Sequence, residues 1–421
     1  MTTTWDSSDV GTKNSRKKSK RKVKGTEEHR AKEPLPESAP PCGEAKGHKA
    51  EGNCTADEDG AKYEEQKVQK ENLTYGQIDA KYVGRSTYLF NQLLSLAEYF
   101  HDRAELAAMN HKKNGHPYAY THSLMMAIAT IRHVLNMDLR SCEGMARAVM
   151  ARAGKDEQKA PSYSQISRRL NELDVSIRDG VTKISSEDFV VNLSPDGTGL
   201  TPSARGEYVR VVHKLRRGFL RLVIMIRLDT LEIVSFSIAD DSVGETSMFT
   251  DLLENALASL GIDIGERRRA MEDVGNPDDV PPIPIVIRAD GAYDTREVFS
   301  QCKKLGIVPI IRVRTNANCS AGGADMPRSR AVLEQLGGDN ATPAKLAAMS
   351  AGEREANRKR WKDRVLYGSR WLVEIVISAF KRRYGNTVRC KNMENIVREI
   401  AQKVCIYNSM LHVGREAAMR A

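Results

Sequence analysis

Three carboxylates, and the polar residues beside one of them, are the part of this sequence that could do chemistry. The last of the three lies in Tyr367-Gly-Ser-Arg370-Trp-Leu-Val-Glu374-Ile-Val-Ile-Ser-Ala-Phe-Lys381. At about 100° of rotation per helical residue, Tyr367, Arg370, Glu374 and Lys381 fall within one arc of roughly 60°. Nearly everything between them is apolar, so the spacing predicts a helix buried on most sides with one narrow polar stripe. Charges in such a place are costly unless they are paired or coordinated. An i,i+4 ion pair of Arg370 with Glu374, with Lys381 reaching outward, meets that requirement, and so does a ligand-holding role for Glu374.

The other two carboxylates share a local pattern. Asp196 and Asp290 each follow a short apolar run and precede a glycine. If their strands are parallel neighbours, both stand at carboxyl ends of adjacent strands, where open α/β sheets place their chemistry. A helix packed across that edge would bring Glu374 to the same point. Three converging carboxylates repel unless divalent cations neutralise them, and an all-oxygen donor set favours Mg²⁺ or Mn²⁺. Two such ions, about 3.5–4 Å apart, can activate a water or a 3′-hydroxyl and stabilise the leaving oxygen of an in-line displacement. Asp294 competes with Asp290, but Asp294-Thr-Arg-Glu297 has capping-box-like spacing, which assigns Asp294 to a helix N-cap.

The elements that must position these residues follow from periodicity. Residues 76–180 read as helical, with apolar i, i+3, i+4 spacing in Tyr88–Phe100, Ser123–Leu135 and Cys142–Arg152. Ser162-Tyr-Ser-Gln165 has the form of a capping box and opens a helix that carries Arg168 and Arg169. This group is either a helix-turn-helix-like DNA reader using those arginines or a plain helical bundle. From about residue 185 the pattern turns to strands: Phe189–Leu193, Tyr208–His213, Phe219–Leu228 and Ile233–Ile238, then Ile285–Ala289 and Ile307–Val313. Helices are predicted at Ser247–Leu260 and Thr295–Leu305. A strand meander followed by βα units predicts a mixed sheet flanked by helices, over 185–421, with a polar loop or insertion at about 315–352. Arg312 and Arg314, with Asn316, follow the last strand and are either phosphate contacts or a solvated strand end.

Composition narrows the partners. A formal net charge of +10 favours an anionic one such as nucleic acid. Residues 1–75 are rich in Lys, Glu, Gly, Ser and Pro, the composition of a disordered tail, and Lys13–Lys24 holds eight basic residues in twelve. That run is either a sequence-independent phosphate-binding arm or a solvated tail. The seven scattered cysteines, with no C-x-x-C, argue against a disulfide framework or a zinc site and fit a reducing interior. No apolar run approaches a membrane span, and the first residues lack a signal region, so the expected place is the cytoplasm, on the nucleoid, with no membrane partner.

The set Asp196, Asp290 and Glu374, with Tyr367-x₂-Arg370-x₃-Glu374-x₆-Lys381, resembles the DDE transposases of prokaryotic insertion sequences, in the branch marked by that Tyr–Arg–Glu–Lys spacing. Arg288–Asp294, Gly218–Leu222 and Tyr163–Arg169 resemble the same family, over roughly residues 85–412. The resemblance implies an RNase H-like catalytic core, an all-α domain that binds DNA ends, and metal ligation by Asp196, Asp290 and Glu374. It also implies contacts of Arg370 and Lys381 with DNA phosphates and of Tyr367 with the transposon end. The activity implied is binding of terminal inverted repeats, metal-dependent strand cleavage, and joining of the 3′-OH ends to target DNA in a homodimeric synaptic complex. A domesticated or inactive relative, acting as a nuclease or a DNA-binding regulator, is the alternative. Deleting residues 1–72 should weaken binding to all duplexes alike and flatten its salt dependence in a filter-binding titration. A loss confined to one end sequence would contradict a sequence-independent arm.

Overall fold

The segment Leu220-Arg-Leu-Val-Ile-Met-Ile-Arg227 shows how the sheet is built. Leu220, Leu222, Ile224 and Ile226 enter one apolar cluster, whereas Val223 and Met225 enter the opposite one. That is the period-2 alternation of a strand, and a strand buried on both faces requires cover on both sides. The computed structural model describes residues 73–421 apart from 100–101, 186–187, 203–217, 273–282, 315, 320–325 and 339, and it has this three-layer arrangement. The strand expected at Tyr208–His213 and the whole basic tail lie outside the described residues.

The chain opens with α1 (Tyr75–Tyr99), α2 (Arg103–Asn110), α3 (His122–Val134), α4 (Leu139–Arg152) and α5 (Tyr163–Glu172). The predicted capping box is present, Ser162 and Gln165 satisfying each other's backbone amides. Strands β1 (Val191–Pro202), β2 (Leu220–Arg227) and β3 (Ile233–Asp240) form an antiparallel meander. Then come α6 (Phe249–Ser259), α7 (Ile264–Glu272), β4 (Ile285–Ala289), α8 (Arg296–Lys304) and β5 (Ile307–Ile311). The sheet order is β3-β2-β1-β4-β5, with β4 and β5 parallel to β1. This is the RNase H-like mixed sheet expected from the sequence.

The stretch at 315–352, expected as a polar loop or insertion, contains short helices among its described residues. It carries α9 (Pro327–Val332), a π turn at Leu333–Gly337 and α10 (Pro343–Ala348), and α11 (Ala351–Arg364) follows. Prolines at the first turns of α9 and α10 suit those ends, where an N–H would go unused. The chain closes with α12 (Trp371–Tyr384), the two-residue β6 (Thr387–Val388), which pairs with the far end of β1, and the long α13 (Met393–Arg420).

Cover on one sheet face comes from α6 and α8, and on the other from α12 and α13. The first helices do not stand apart from this body. α1 and α3 pack on α13, and Gln402 of α13 bonds the Leu170 carbonyl at 2.8 Å while lying 3.2 Å from His133. Burial, with Lys403 and Arg132 close by, holds His133 below its ordinary range and so neutral. Among the described residues no helix is long and apolar enough to cross a membrane.

The outer edge strand is pinned to α13 by Asn408, whose fully buried amide accepts from the Ile233 N–H and donates to the Ile233 C=O, each at 3.0 Å. Asn408→Ala leaves both backbone groups unpaired, at about 1–3 kcal/mol each. The expected loss is therefore about 2–4 kcal/mol, read as a lower urea midpoint at unchanged slope. A midpoint equal to wild type would show that the two bonds contribute nothing net.

Candidate active site

Strand pairing brings the two aspartates level. Parallel register sets Val191 beside Ile285, Asn192 beside Val286 and Leu193 beside Ile287. The same offset, carried on, sets Asp196 opposite Asp290. The buried Ser194 hydroxyl donates to the Arg288 carbonyl at 2.7 Å just below this level. Asp196 does not end its strand as expected. Its antiparallel partner β2 carries β1 on to Pro202, and Asp196 lies across from Ile224. The strand that ends here is β4. Asp290 caps the following 3₁₀ turn, Gly291–Tyr293, accepting from the Ala292 amide at 2.8 Å.

A 3₁₀ turn, Tyr367–Arg370, leads into α12, which crosses this edge. The helix is buried along one strip only, Val373, Val376, Phe380 and Tyr384, because it lies on the rim of the sheet. Trp371 is 45% exposed and the Glu374 side chain 57% exposed, which corrects the expectation of burial on most sides. Arg370 donates to Glu374 Oε1 at 2.7 Å and stands 4.0 Å from Asp196 Oδ2, so one guanidinium spans two of the three carboxylates. Tyr367 donates its hydroxyl to the Ala289 carbonyl at 3.0 Å and packs on Trp361 with ring centres 5.6 Å apart. It fastens the start of this helix to the end of β4. Asp196, Glu374 and Lys381, with Ile377, Arg382 and Asn386, line an open groove of about 480 Å³.

A fourth carboxylate was missed. Glu245 follows β3, and its Oε1 lies only 2.3 Å from where a Cβ on Gly197 would sit. The absence of a side chain at Gly197 therefore lets this carboxylate stand beside Asp196. The signal in the sequence was indirect: a glycine directly after the aspartate, and an acidic residue in the turn after the third strand.

The remaining candidates divide. Arg312 is exposed at the rim, its carbonyl 3.2 Å from a Cβ position on Gly291, next to Asp290. Arg314 is exposed as well, while its amide donates to Asp294 at 3.2 Å. Arg168 is exposed on α5, but Arg169 is buried, its guanidinium 4.0 Å from the centre of the Tyr118 ring and bonded to the Tyr120 carbonyl. A side chain so enclosed is part of the bundle's packing and is not placed to read DNA. Asp294 is not an N-cap either. Thr295 caps α8, and Asp294 forms a two-pronged ion pair with Arg328 at 2.7 and 2.8 Å.

Burial pushes the Asp196 carboxyl up to about 6, with Asp290 and Glu245 adding to the rise and the Gly197 amide and Arg370 opposing it. Glu245 is likewise raised by burial and by Asp290, against the pull of Arg221. Crowded carboxylates that resist ionising, with only oxygen donors, suit a hard divalent cation. Among the described residues, however, no three acidic, His or Cys side chains are gathered closely enough to ligate one ion, since Glu374 is turned to Arg370.

An acid whose folded pKa is raised contributes stability fully below its unfolded value, near 3.8, and loses it as pH rises through about 6. Asp196→Asn removes that loss. In a metal chelator the variant should match wild type near pH 3.5 and exceed it above pH 6.5 by on the order of 2 kcal/mol in urea unfolding. A difference that does not change with pH would show that Asp196 is not strained by its neighbours.

Two family models, each described as a transposase DDE domain, match this chain at residues 201–409 and 95–202. They abut at the end of β1 and together run from the first helices to α13. Among solved structures the chain is similar to a chain in a pre-cleavage Mos1 transpososome, at 10% identity over 73% of this chain and 98% of that one. The TM-score of that superposition is 0.19, too low to carry weight in the assignment. On the family models, the chain belongs to the DDE transposases.

Proposed function

We infer that this transposase is encoded by an insertion sequence, binds the terminal inverted repeats of its own element, cleaves there and joins the freed 3′-OH ends to target DNA. The observation that carries the reading is Asp196 on β1 and Asp290 just past the end of the parallel β4, within electrostatic reach of each other, with Glu374 lining the same groove as Asp196 and Arg370 between those two carboxylates. Asp196, Asp290 and Glu374 would hold two Mg²⁺ or Mn²⁺ ions. When bound, these supply charge neutralisation and activation of a water or 3′-hydroxyl for in-line phosphoryl transfer.

The chain's own residues do the positioning. Arg370 occupies the space between Asp196 and Glu374 and offers a planar fork that suits a phosphate. When a DNA phosphate takes that guanidinium, Glu374 is released toward the aspartates. Lys381 and Arg382 line the groove beyond and would hold the backbone that flanks the scissile bond, and Arg312 would do so from the Asp290 side. Tyr367 acts through position: its bond to Ala289 sets the start of α12 against the strand that presents Asp290. Joining two ends calls for two copies of the chain in one synaptic complex, acting on DNA in the cytoplasm.

The deciding experiment is cleavage and joining of labelled duplex that carries the gene's own flanking sequence, with Mg²⁺, by wild type and Glu374→Gln. Wild type should yield joined product. The variant should lose at least about 100-fold in rate while its Kd for the ends changes less than about 3-fold. Equal cleavage by both proteins would remove Glu374 from the chemistry. Cleavage without joining by wild type would identify a nuclease, and binding without chemistry in either would identify a regulator or an inactive copy.

A further inference from the structure

Away from the catalytic groove, a second pocket of about 350 Å³ opens where α3, α5 and the start of α13 meet. Its lining is mixed: beside the apolar Leu139 and Leu170 stand Arg132, Ser167, Asn171, Arg389 and Lys391, with no acidic side chain among the lining residues. Arg132 is the unusual member. It is only 8% exposed, its Nε has no hydrogen-bond partner, and no ion pair joins it to a carboxylate among the described residues. A buried guanidinium whose Nε is unbonded carries a desolvation cost. Burial lowers the pKa of Arg132, and the charge of Arg389 adds to that effect.

The charge of Glu399 offsets part of that cost, but its oxygens are bonded elsewhere. Glu399 gives Oε1 to Lys403 at 2.7 Å and Oε2 to the amides of Arg389 and Cys390 at 2.9 Å each. Arg389 is turned away as well, bonded to Asn136 and to the Met137 carbonyl. Into the same pocket opens the N-terminus of α13, 28 residues long, with Asn392 capping the Asn395 amide at 2.9 Å. A helix start is the positive end of its dipole and has N–H groups to spare. Two independent features, a buried arginine with an unsatisfied Nε and a long helix's positive end, therefore face one pocket whose lining holds no acidic side chain.

We propose that this pocket is a phosphate site that takes a backbone phosphate of bound DNA, anchoring the duplex to the helical layer at a distance from the catalytic groove. The proposal rests on the transposase reading for its ligand, but the site's taste for a tetrahedral oxyanion does not. Arg168 is exposed on the same helix as Ser167 and Asn171.

The test uses the full chain and variants at the rim, since Arg132 itself is too buried to replace safely. Asn171→Asp puts a carboxylate in the pocket, and Lys391→Gln removes its exposed cation. Arg420→Gln, at the far end of α13, controls for loss of charge. Inorganic phosphate, compared with chloride at equal ionic strength, should raise the wild-type Tm by about 2 °C near saturation and leave both pocket variants unmoved. Both should also bind end and random duplex about 5- to 10-fold more weakly at low salt, with the slope of log K against log salt reduced by about 1. The Arg420→Gln control should retain the phosphate response. Loss of the phosphate response with DNA affinity and slope intact would overturn the DNA assignment in favour of free phosphate. No phosphate-specific response in wild type, with an unchanged slope, would overturn the site itself. A wild type that responds to phosphate but binds no duplex would sink the transposase reading and leave the oxyanion site standing.

Discussion

Like charges held together at one edge of a sheet are the constraint on which this molecule turns. Asp196 and Asp290 are brought level by backbone register, which no side-chain rearrangement can undo, and Glu245 is admitted beside them by the bare backbone of Gly197. Coulomb repulsion at such a spot grows as water is removed. The surroundings answer with single, well-placed cations: Arg370 between Asp196 and Glu374, and Arg221 within electrostatic reach of Glu245. The site is thus balanced at the level of individual guanidinium groups. A ligand that draws one of them away changes the state of the carboxylates it leaves.

That balance needs a rigid frame, and the frame is the twofold burial of the central strands. β2 feeds alternate side chains into separate cores, so slipping its register by one residue would exchange every one of them. β1 is held between β2 and β4: β2 pairs directly with Asp196 at Ile224, and β4 pairs with β1 up to Leu193. On the far side, α13 ties three parts together: it fills the core under α12, pins β3 through Asn408, and seats the first helices through Gln402. The helices before the sheet are therefore braced by the same element that supports α12. A load on one reaches the other through packed side chains rather than a flexible linker.

Much of this could be read from the sequence, and the exceptions have physical causes. Alternating and continuous apolar runs located β2 through β5, and the Ser162–Gln165 box located the start of α5, because local spacing alone decides those features. The place of Asp290 was legible for the same reason, as the residue where a short apolar strand ends, whereas its capping of the next turn was not. The extent of β1 was not, since its continuation depends on pairing with β2, from Asp196 opposite Ile224 to Leu200 opposite Leu220, contacts that lie beyond local sequence spacing. Asp294 was misread, and Arg169 was left open between DNA reading and bundle packing, because each has a local motif and a distant partner, and the distant partner prevails. Arg328 claims the first, and Tyr118 and the Tyr120 carbonyl claim the second. Glu245 escaped notice because its importance lies in a backbone void across the sheet, which no periodicity encodes.

The exposure of Glu374 and the modest strength of its bond to Arg370 belong together. Ion pairs at such partly solvated positions contribute only about 0–1 kcal/mol. An arginine held that lightly gives up its carboxylate readily for a doubly bonded phosphate, which gains from charge and geometry alike. The firmly held arginines of this chain, Arg328 on Asp294 and Arg227 between Asp188 and Asp229, sit where nothing needs to move. Arg370 and Arg132 differ from them in opposite ways, one loosely paired beside the reacting edge and the other buried without a pair. A cation whose internal partner is weak or missing, facing an open groove, is poised for an external anion, and the strength of internal pairing separates such a group from one that only holds the fold.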